Sequence, residues 1–231
     1  MTTSIRAAVG VMAKAPVPGH CKTRMCPPLS PQQAAQLHEA LLLDTLDAVR
    51  ALPGVTPVLF AAPELDGVVA LQALAPSWKV LPQRGDGLGP RMEDALEALL
   101  QLAPVAFLLG ADAPHAPLGD ALRHAAWVAQ APATRVVMGP SDDGGYWTIG
   151  MGQVHLPLLR NMPWSTPQVA ALTRQHTRAA GLELVECAGA MDVDDLAGLQ
   201  ALARTMTTEK TPRTGALLQV PGMREIVTAV G

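Results

Sequence analysis

The 231-residue sequence predicts an α/β domain in which a largely parallel sheet is covered by helices on both faces. Three observations predict it. Apolar runs of strand length alternate with amphipathic runs of helix length along nearly the whole chain. The run PVAFLLGAD (104–112) stays apolar until its final acid, as expected of a strand buried on both faces. Apolar residues make up 49 % of the chain against a formal charge of only −3, which gives one sizeable core and excludes a disordered chain.

Taken in order, the run ending AAVGVMA (7–13) reads as the first strand and empties into KAPVPGHCKTR (14–24), a loop with two prolines, a glycine and three cations. Ser30 and Pro31 supply an N-cap and a first-turn proline for a long helix over 32–52, where Leu42, Leu46 and Val49 recur at helical spacing. VTPVLFAA (55–62) is the second strand, and a short helical piece precedes WKVLPQ (78–83). PRMEDALEALLQL (90–102) is amphipathic, 104–112 is the buried strand, and LGDALRHAAWVAQ (118–130) is helical again. TRVVMGPS (134–141) and GGYWTIGM (144–151) are separated by a short Asp/Gly turn, which predicts an antiparallel element in the otherwise parallel sheet. A helix around 167–181, a strand LELVEC (182–187) and a helix over 192–206 complete a single domain expected to span 1–206. Residues 207–231 are more polar and turn-rich, and are expected to form a C-terminal tail or a helix packed on the body.

The near-neutral charge offers no basic field for nucleic acid, so the expected partner is a small molecule. Three cysteines without regular spacing point to free thiols in a reducing compartment, the cytoplasm. The N-terminal apolar run is too short for a secretory signal, and the segment around 99–111 is interrupted by Pro104 and too short to cross a bilayer. No membrane association is expected.

Ligands of open α/β sheets collect beyond the carboxyl ends of strands, and several polar clusters fall there. In KAPVPGHCKTR, Lys14, Lys22 and Arg24 with Gly19 suit a phosphate chain: the cations neutralise charge and the glycine lets backbone N–H groups approach. A Walker A loop is excluded, because Cys21 rather than glycine precedes Lys22. In LLGADAP, Asp112 ends a buried strand, where an acid is costly unless a cation meets it; a divalent ion on a diphosphate is one answer and an N-cap role the other. In SDDGGYWTIG, Asp142 or Asp143 suits a hydroxyl or a base role beside Gly144 and Gly145, although Asp-Asp-Gly-Gly is also an ordinary tight turn. In MDVDDL, Asp192 and Asp194 project to the same side of an extended backbone and can approach one metal, while one acid of the group caps the next helix. In PQRGDGLGPRM, Arg84, Gly87 and Arg91 precede or open a helix whose N-terminus favours anions, although the glycines do not match a dinucleotide fingerprint. The histidines show no metal spacing.

The ordered series KAPVPGHCKTR, LLLDTL, GDGLGPRM, LLGADAP, GPSDDGGYWTIG, PWST and DVDDL resembles the bacterial glycosyltransferase-like family of mostly uncharacterised proteins, some labelled for arsenosugar biosynthesis. The resemblance runs from about residue 8 to about residue 203. The chain is also similar to 2-phospholactate guanylyltransferase and, more distantly, to molybdopterin guanylyltransferase. The resemblance implies the GT-A, or nucleotide-diphospho-sugar transferase, fold: a three-layer α/β/α sandwich with a mostly parallel mixed sheet. It matches Lys14, Lys22 and Arg24 to phosphate-loop cations, Asp112 to a strand-end metal acid, and Asp192 and Asp194 to a late acidic pair. One departure is visible. The D-x-D motif of many GT-A glycosyltransferases is missing around Asp112, where Gly110 and Pro114 stand two residues away, and the spacing occurs instead at Asp192-Val-Asp194.

The expected activity is a transferase dependent on Mg²⁺ or Mn²⁺ and using a nucleotide-linked donor, foremost a glycosyltransferase acting from a nucleotide sugar. The alternative is a nucleotidylyltransferase that moves NMP from a nucleoside triphosphate to a phosphorylated small molecule. A third reading is a non-catalytic nucleotide-binding protein of the same fold. Asp112 with Asp192 or Asp194 is the expected metal set, Asp142 or Asp143 the expected base, and Gly144, Gly145, Tyr146 and Trp164 the expected acceptor pocket.

Overall fold

The computed structural model describes residues 6–205 and 210–228. Strand β1 (Ala7–Lys14) is followed by a 3-10 turn (Thr23–Met25) and helix α1 (Pro31–Arg50). Then come β2 (Val55–Ala62), α2 (Glu64–Leu74), β3 (Lys79–Pro82), α3 (Leu88–Leu100) and β4 (Val105–Gly110). The second half holds α4 (Leu118–Arg123), α5 (Ala125–Gln130), β5 (Arg135–Pro140), β6 (Tyr146–Met151), α6 (Val169–Ala179), β7 (Glu183–Glu186) and α7 (Leu196–Thr205). Two short helices, α8 (Pro212–Leu218) and α9 (Pro221–Thr228), follow.

The seven strands form one sheet in the order β3-β2-β1-β4-β6-β5-β7. All neighbours run parallel except β6, which is antiparallel to both β4 and β5. This is the predicted α/β/α architecture with its one reversed strand. The reversal follows from chain length: only five residues separate β5 from β6, far too few for the crossover that a parallel neighbour needs. The expected helix over 118–130 is two helices, α4 and α5, meeting at His124.

Alternation along each strand divides the core. Val9, Val11, Leu59, Val105 and Phe107 face α1 and the α4–α5 side, with Leu42, Leu46, Ala121 and Val128. Ala8, Val58, Phe60, Ala106 and Leu108 face the opposite layer, where Met92, Ala95, Leu96 and Leu99 of α3 cover them. Gly150 on β6 stands opposite Phe107 on β4, and a Cβ there would lie 2.3 Å from the Phe107 ring, so the aromatic face takes the space a side chain would fill.

Ser30 opens α1 through a capping box: Gln33 N–H donates to Ser30 Oγ and Ser30 N–H donates to Gln33 Oε1. Asp44 lies on the buried stripe of α1 and is 1 % exposed. Its carboxylate accepts the backbone N–H groups of Arg213 (3.1 Å) and Thr214 (2.9 Å), which satisfies the first turn of α8. Met25, Leu37, Leu41, Leu199, Leu202, Leu218 and Met223 form a third apolar cluster that joins α1 and α7 to α8 and α9. No helix among the described residues is long and apolar enough to cross a membrane.

Candidate active site

A cleft of about 780 Å³ opens where the carboxyl ends of β1 and β4 meet the start of β6. Parallel strands deliver Lys14 and Asp112 to the same edge, and the reversed strand delivers Tyr146 there from the other direction. The strap 190–194 crosses the edge: Ala190 N–H donates to Pro140 O, and Val193 N–H donates to Asp112 O at 3.0 Å. That second bond sets Asp192 and Asp194 on either side of the Asp112 backbone contact, and all three side chains line the cleft.

The basic loop folds back onto these acids. Lys22 takes a left-handed conformation, φ 48°, ahead of the 3-10 turn. Its ammonium pairs with Asp112 and, at 2.9 Å, with Asp194 Oδ1, and its side chain is only 4 % exposed. Arg24 adds a longer contact, 3.6 Å, to Asp194. Burial alone discourages the Lys22 charge, but Asp112 and Asp194 outweigh it and hold the ammonium above the usual lysine range. Asp194 behaves conversely: burial opposes its charge, and Lys22 more than compensates, so its carboxyl lies below the usual range. Asp192 has no such balance. Burial first, then Asp143, Asp112 and Asp194, push its carboxyl up to about 7.

This has a measurable consequence. The folded state holds a proton on Asp192 up to about pH 7 whereas the unfolded chain releases it near 3.8, so this group's stabilising contribution is fully present at low pH and is lost as pH rises between those values. Asp192→Asn is therefore expected to raise Tm at pH 8 by roughly 5 °C and to gain less at pH 5, as read by thermal unfolding.

Asp143 also lines the cleft, yet its Oδ1 accepts from Ser141 Oγ and from Gly145 N–H at 2.8 Å. Much of that carboxylate is thus spent on holding the β5–β6 turn. Gly145, Tyr146 and Trp164 line the cleft, the two rings meeting edge to face with centroids 6.2 Å apart. Burial holds the Tyr146 phenol well above its ordinary range, so it stays protonated.

Other expected site residues lie elsewhere. Asp142 is exposed and outside the cleft lining, and its charge acts on His115. Gly144, φ 87°, packs on the backbone of Pro167, where a Cβ would lie 2.2 Å from the carbonyl oxygen; it shapes the turn rather than facing the cleft. Gly19, φ 80°, is a conformational requirement of the basic loop and does not line the cleft. Arg84 and Gly87 line a second cavity of about 620 Å³, which shares only Leu88 and Trp164 with the first. Arg91 donates its Nε–H to Gly85 O at 3.1 Å and holds the glycine loop.

The cleft also contains residues that the sequence reading passed over. His38 on α1 is buried and its Nε2–H donates to Lys14 O at 2.9 Å, which leaves Nδ1 unprotonated, buried and without a partner. Burial lowers its basicity, with Asp112 opposing. Gln83 Nε2 donates to Ala13 O (3.2 Å) and Phe60 O (2.9 Å), tying three strand ends together beneath the cleft. Ser165, φ 63°, turns the strap carrying Trp164 over the opening. A polar residue in the buried stripe of a helix was the available signal for His38; Gln83 gave none.

The donors on offer to a metal are carboxylate oxygens, the set preferred by Mg²⁺ and Mn²⁺. Among the described residues no group of three or more His, Cys, Asp or Glu side chains is preassembled around one point. Asp112 and Asp194 nonetheless already hold one positive charge between them, that of Lys22, so the set fits a cation.

Fold and cleft together define the class, that of the nucleotide-diphospho-sugar transferase fold. The chain is similar to the crystal structure of a provisionally named nucleotide-diphospho-sugar transferase from Desulfovibrio desulfuricans G20, with 25 % identity, a TM-score of 0.84, and 95 % of this chain and 97 % of that one covered. It shares its fold with CMP:2-keto-3-deoxy-manno-octonic acid synthetase complexed with CTP (14 % identity, TM-score 0.55, 88 % and 99 % covered). It shares it also with glucosyl-3-phosphoglycerate synthase from Mycobacterium tuberculosis in complex with Mn²⁺, UDP and glucosyl-3-phosphoglycerate (12 %, 0.50, 91 % and 80 %). No curated protein matches the sequence. Residues 45–166, more than half of the chain, match the family of uncharacterized proteins conserved in bacteria (DUF2064), and the chain belongs to that family.

Proposed function

We propose that this protein is a cytoplasmic, metal-dependent transferase acting on a nucleotide-linked donor, foremost a glycosyltransferase that uses a nucleotide sugar and a small-molecule acceptor. The observation that carries the reading is the meeting of Lys14, Lys22 and Arg24 with Asp112, Asp192 and Asp194 in one cleft at a strand-end edge. Cations and acids side by side suit a diphosphate bridged to the protein by a divalent ion, and neither set alone does.

Asp112 with Asp192 or Asp194 would hold Mg²⁺ or Mn²⁺. The ion would neutralise charge on the diphosphate as the bond to it breaks. Lys14 and Arg24 line the same cleft and stabilise the departing phosphate oxygens. His38 keeps the end of β1 in place through Lys14 O. Tyr146 and Trp164 wall the acceptor side and shed water from it. Asp143, with one oxygen engaged in the turn, is the acid placed to accept an acceptor proton; Asp142 is equally exposed but lies outside the cleft lining.

One observation favours nucleotidyl transfer as the second reading: three cations on one loop are more than a diphosphate requires and match a triphosphate. Pyrophosphate release from an NTP with a pool of sugar phosphates or phospho-acids would establish that reading, whereas transfer from a nucleotide sugar without pyrophosphate establishes the first.

A thermal-shift screen of nucleotides and nucleotide sugars, with and without Mn²⁺ or Mg²⁺, tests both against a non-catalytic scaffold. A true ligand at a hundred times its Kd is expected to raise Tm by roughly 5–10 °C. A flat response to every nucleotide overturns the proposal. The double variant Lys22→Ala with Arg24→Ala is expected to lose at least about tenfold in nucleotide affinity; unchanged affinity would make the loop an ordinary charged turn.

A further inference from the structure

We infer that Lys22 is the built-in cation of the Asp112–Asp194 pair, and that its displacement links divalent-cation binding to anion binding in the cleft. The inference rests on the metal-assisted reading above. The ammonium lies between the two carboxylates, 2.9 Å from Asp194 Oδ1 and in contact with Asp112, on a side chain that is 4 % exposed. Arg24 cannot substitute for it, because its side chain is 68 % exposed and touches only the outer oxygen of Asp194 at 3.6 Å. The chain holds Lys22 in place with a left-handed backbone that a lysine rarely adopts.

A dication bound between Asp112 and Asp194 cannot share that space with an ammonium. One of them has to leave, and the lysine has a flexible four-carbon stem that allows it to. The open direction is the cleft, whose wall already carries Lys14 and Arg24. Adding a third positive charge there is unfavourable with the cleft empty and favourable with a phosphate chain in it. Metal binding therefore prepares the cleft for the anion, and the anion draws Lys22 off the carboxylates. Each ligand raises the affinity of the other by the same factor.

Direct titration of Mn²⁺ into the full chain in the absence of nucleotide, followed by the electron paramagnetic resonance signal of free Mn²⁺, tests this independently of the transferase reading. Lys22→Met keeps the stem and removes the charge. It is expected to bind Mn²⁺ at least about tenfold more tightly than wild type, within the usual range of coupling between sites. Lys22→Arg keeps the charge and is expected to stay as weak as wild type. Equal Mn²⁺ affinity in wild type and Lys22→Met, including no binding in either, overturns the inference. So does a gain in Lys22→Arg equal to that in Lys22→Met. Should Lys22→Met fail to fold alone, recovery of its native circular dichroism by Mn²⁺ but not by KCl of equal ionic strength supports the inference, and no recovery overturns it. A failure of the nucleotide screen beside a positive Mn²⁺ result would reject the transferase and leave the lysine–metal competition standing.

Discussion

Asp112→Asn is expected to abolish the metal-dependent part of nucleotide stabilisation and to lower turnover by roughly 100- to 1,000-fold, the loss seen when one charge-stabilising group is removed from a transition state. The substitution keeps size and shape, so the effect isolates the charge. Asp112 is central because three things converge on it: the end of buried β4, the Lys22 ammonium, and, through its backbone oxygen, the strap that carries Asp192 and Asp194. The Val193 N–H bond is to the main chain and survives the change, so the strap is expected to stay in place and the fold to persist. The measurement is Tm with a nucleotide, with and without Mn²⁺, beside a turnover assay on the donor that the screen identifies. Full Mn²⁺-dependent nucleotide binding in Asp112→Asn would remove this residue from the metal set and leave the scaffold reading the stronger.

The second large effect is on stability. Asp44→Ala is expected to cost about 3–5 kcal/mol, read by urea unfolding, because it strips a fully buried acceptor from the backbone N–H groups of Arg213 and Thr214 and from the nearby Arg213 guanidinium. Residues 210–228 are then expected to loosen from α1, and trypsin to cut after Lys210 or Arg213 faster than in wild type. Asp44→Asn retains an acceptor oxygen and is expected to lose less. Equal cutting rates in wild type and Asp44→Ala would show that the apolar contacts of Leu218 and Met223 hold the two helices without Asp44.

The fold was legible because it rests on local signals. The apolar run 105–109 could only be a buried strand, Ser30 and Pro31 marked a helix start, and the short Asp/Gly turn forced a reversed strand. The split at His124 was not legible, since both halves carry the same helical periodicity. For the site, strand-end charge led to Lys14, Lys22, Arg24 and Asp112, because parallel strands deliver their last residues to a common edge. The same reasoning also named Arg84, Gly87 and Arg91, which stand apart from that cleft. The edge is long, and the loop after β3 turns toward α3 and the Trp164 strap instead. His38 and Gln83 act through backbone carbonyls of strands far away in sequence, and no local pattern records such a partner. The mutual pairing of Lys22 with two acids was equally hidden: residue types foretold a basic loop and an acidic set, and only their folding together shows that each is the other's counter-charge.

The reversed strand has a consequence for how this chain can change over evolution. The half of the sheet that carries the basic loop and the half that carries the Tyr146 hairpin are joined by the ladder between β4 and β6, four residue pairs from Ala106↔Met151 to Leu109↔Thr148. Sliding one half along the other by a single residue would turn every inward side chain of β6 outward, so the smallest permitted step is two residues, roughly 7 Å. Sliding β6 so that Thr148 came opposite Phe107 would put a side chain where the aromatic ring already lies. The spacing between the basic loop and the Tyr146 hairpin is thus quantised, and the hairpin tip can be redrawn without changing it.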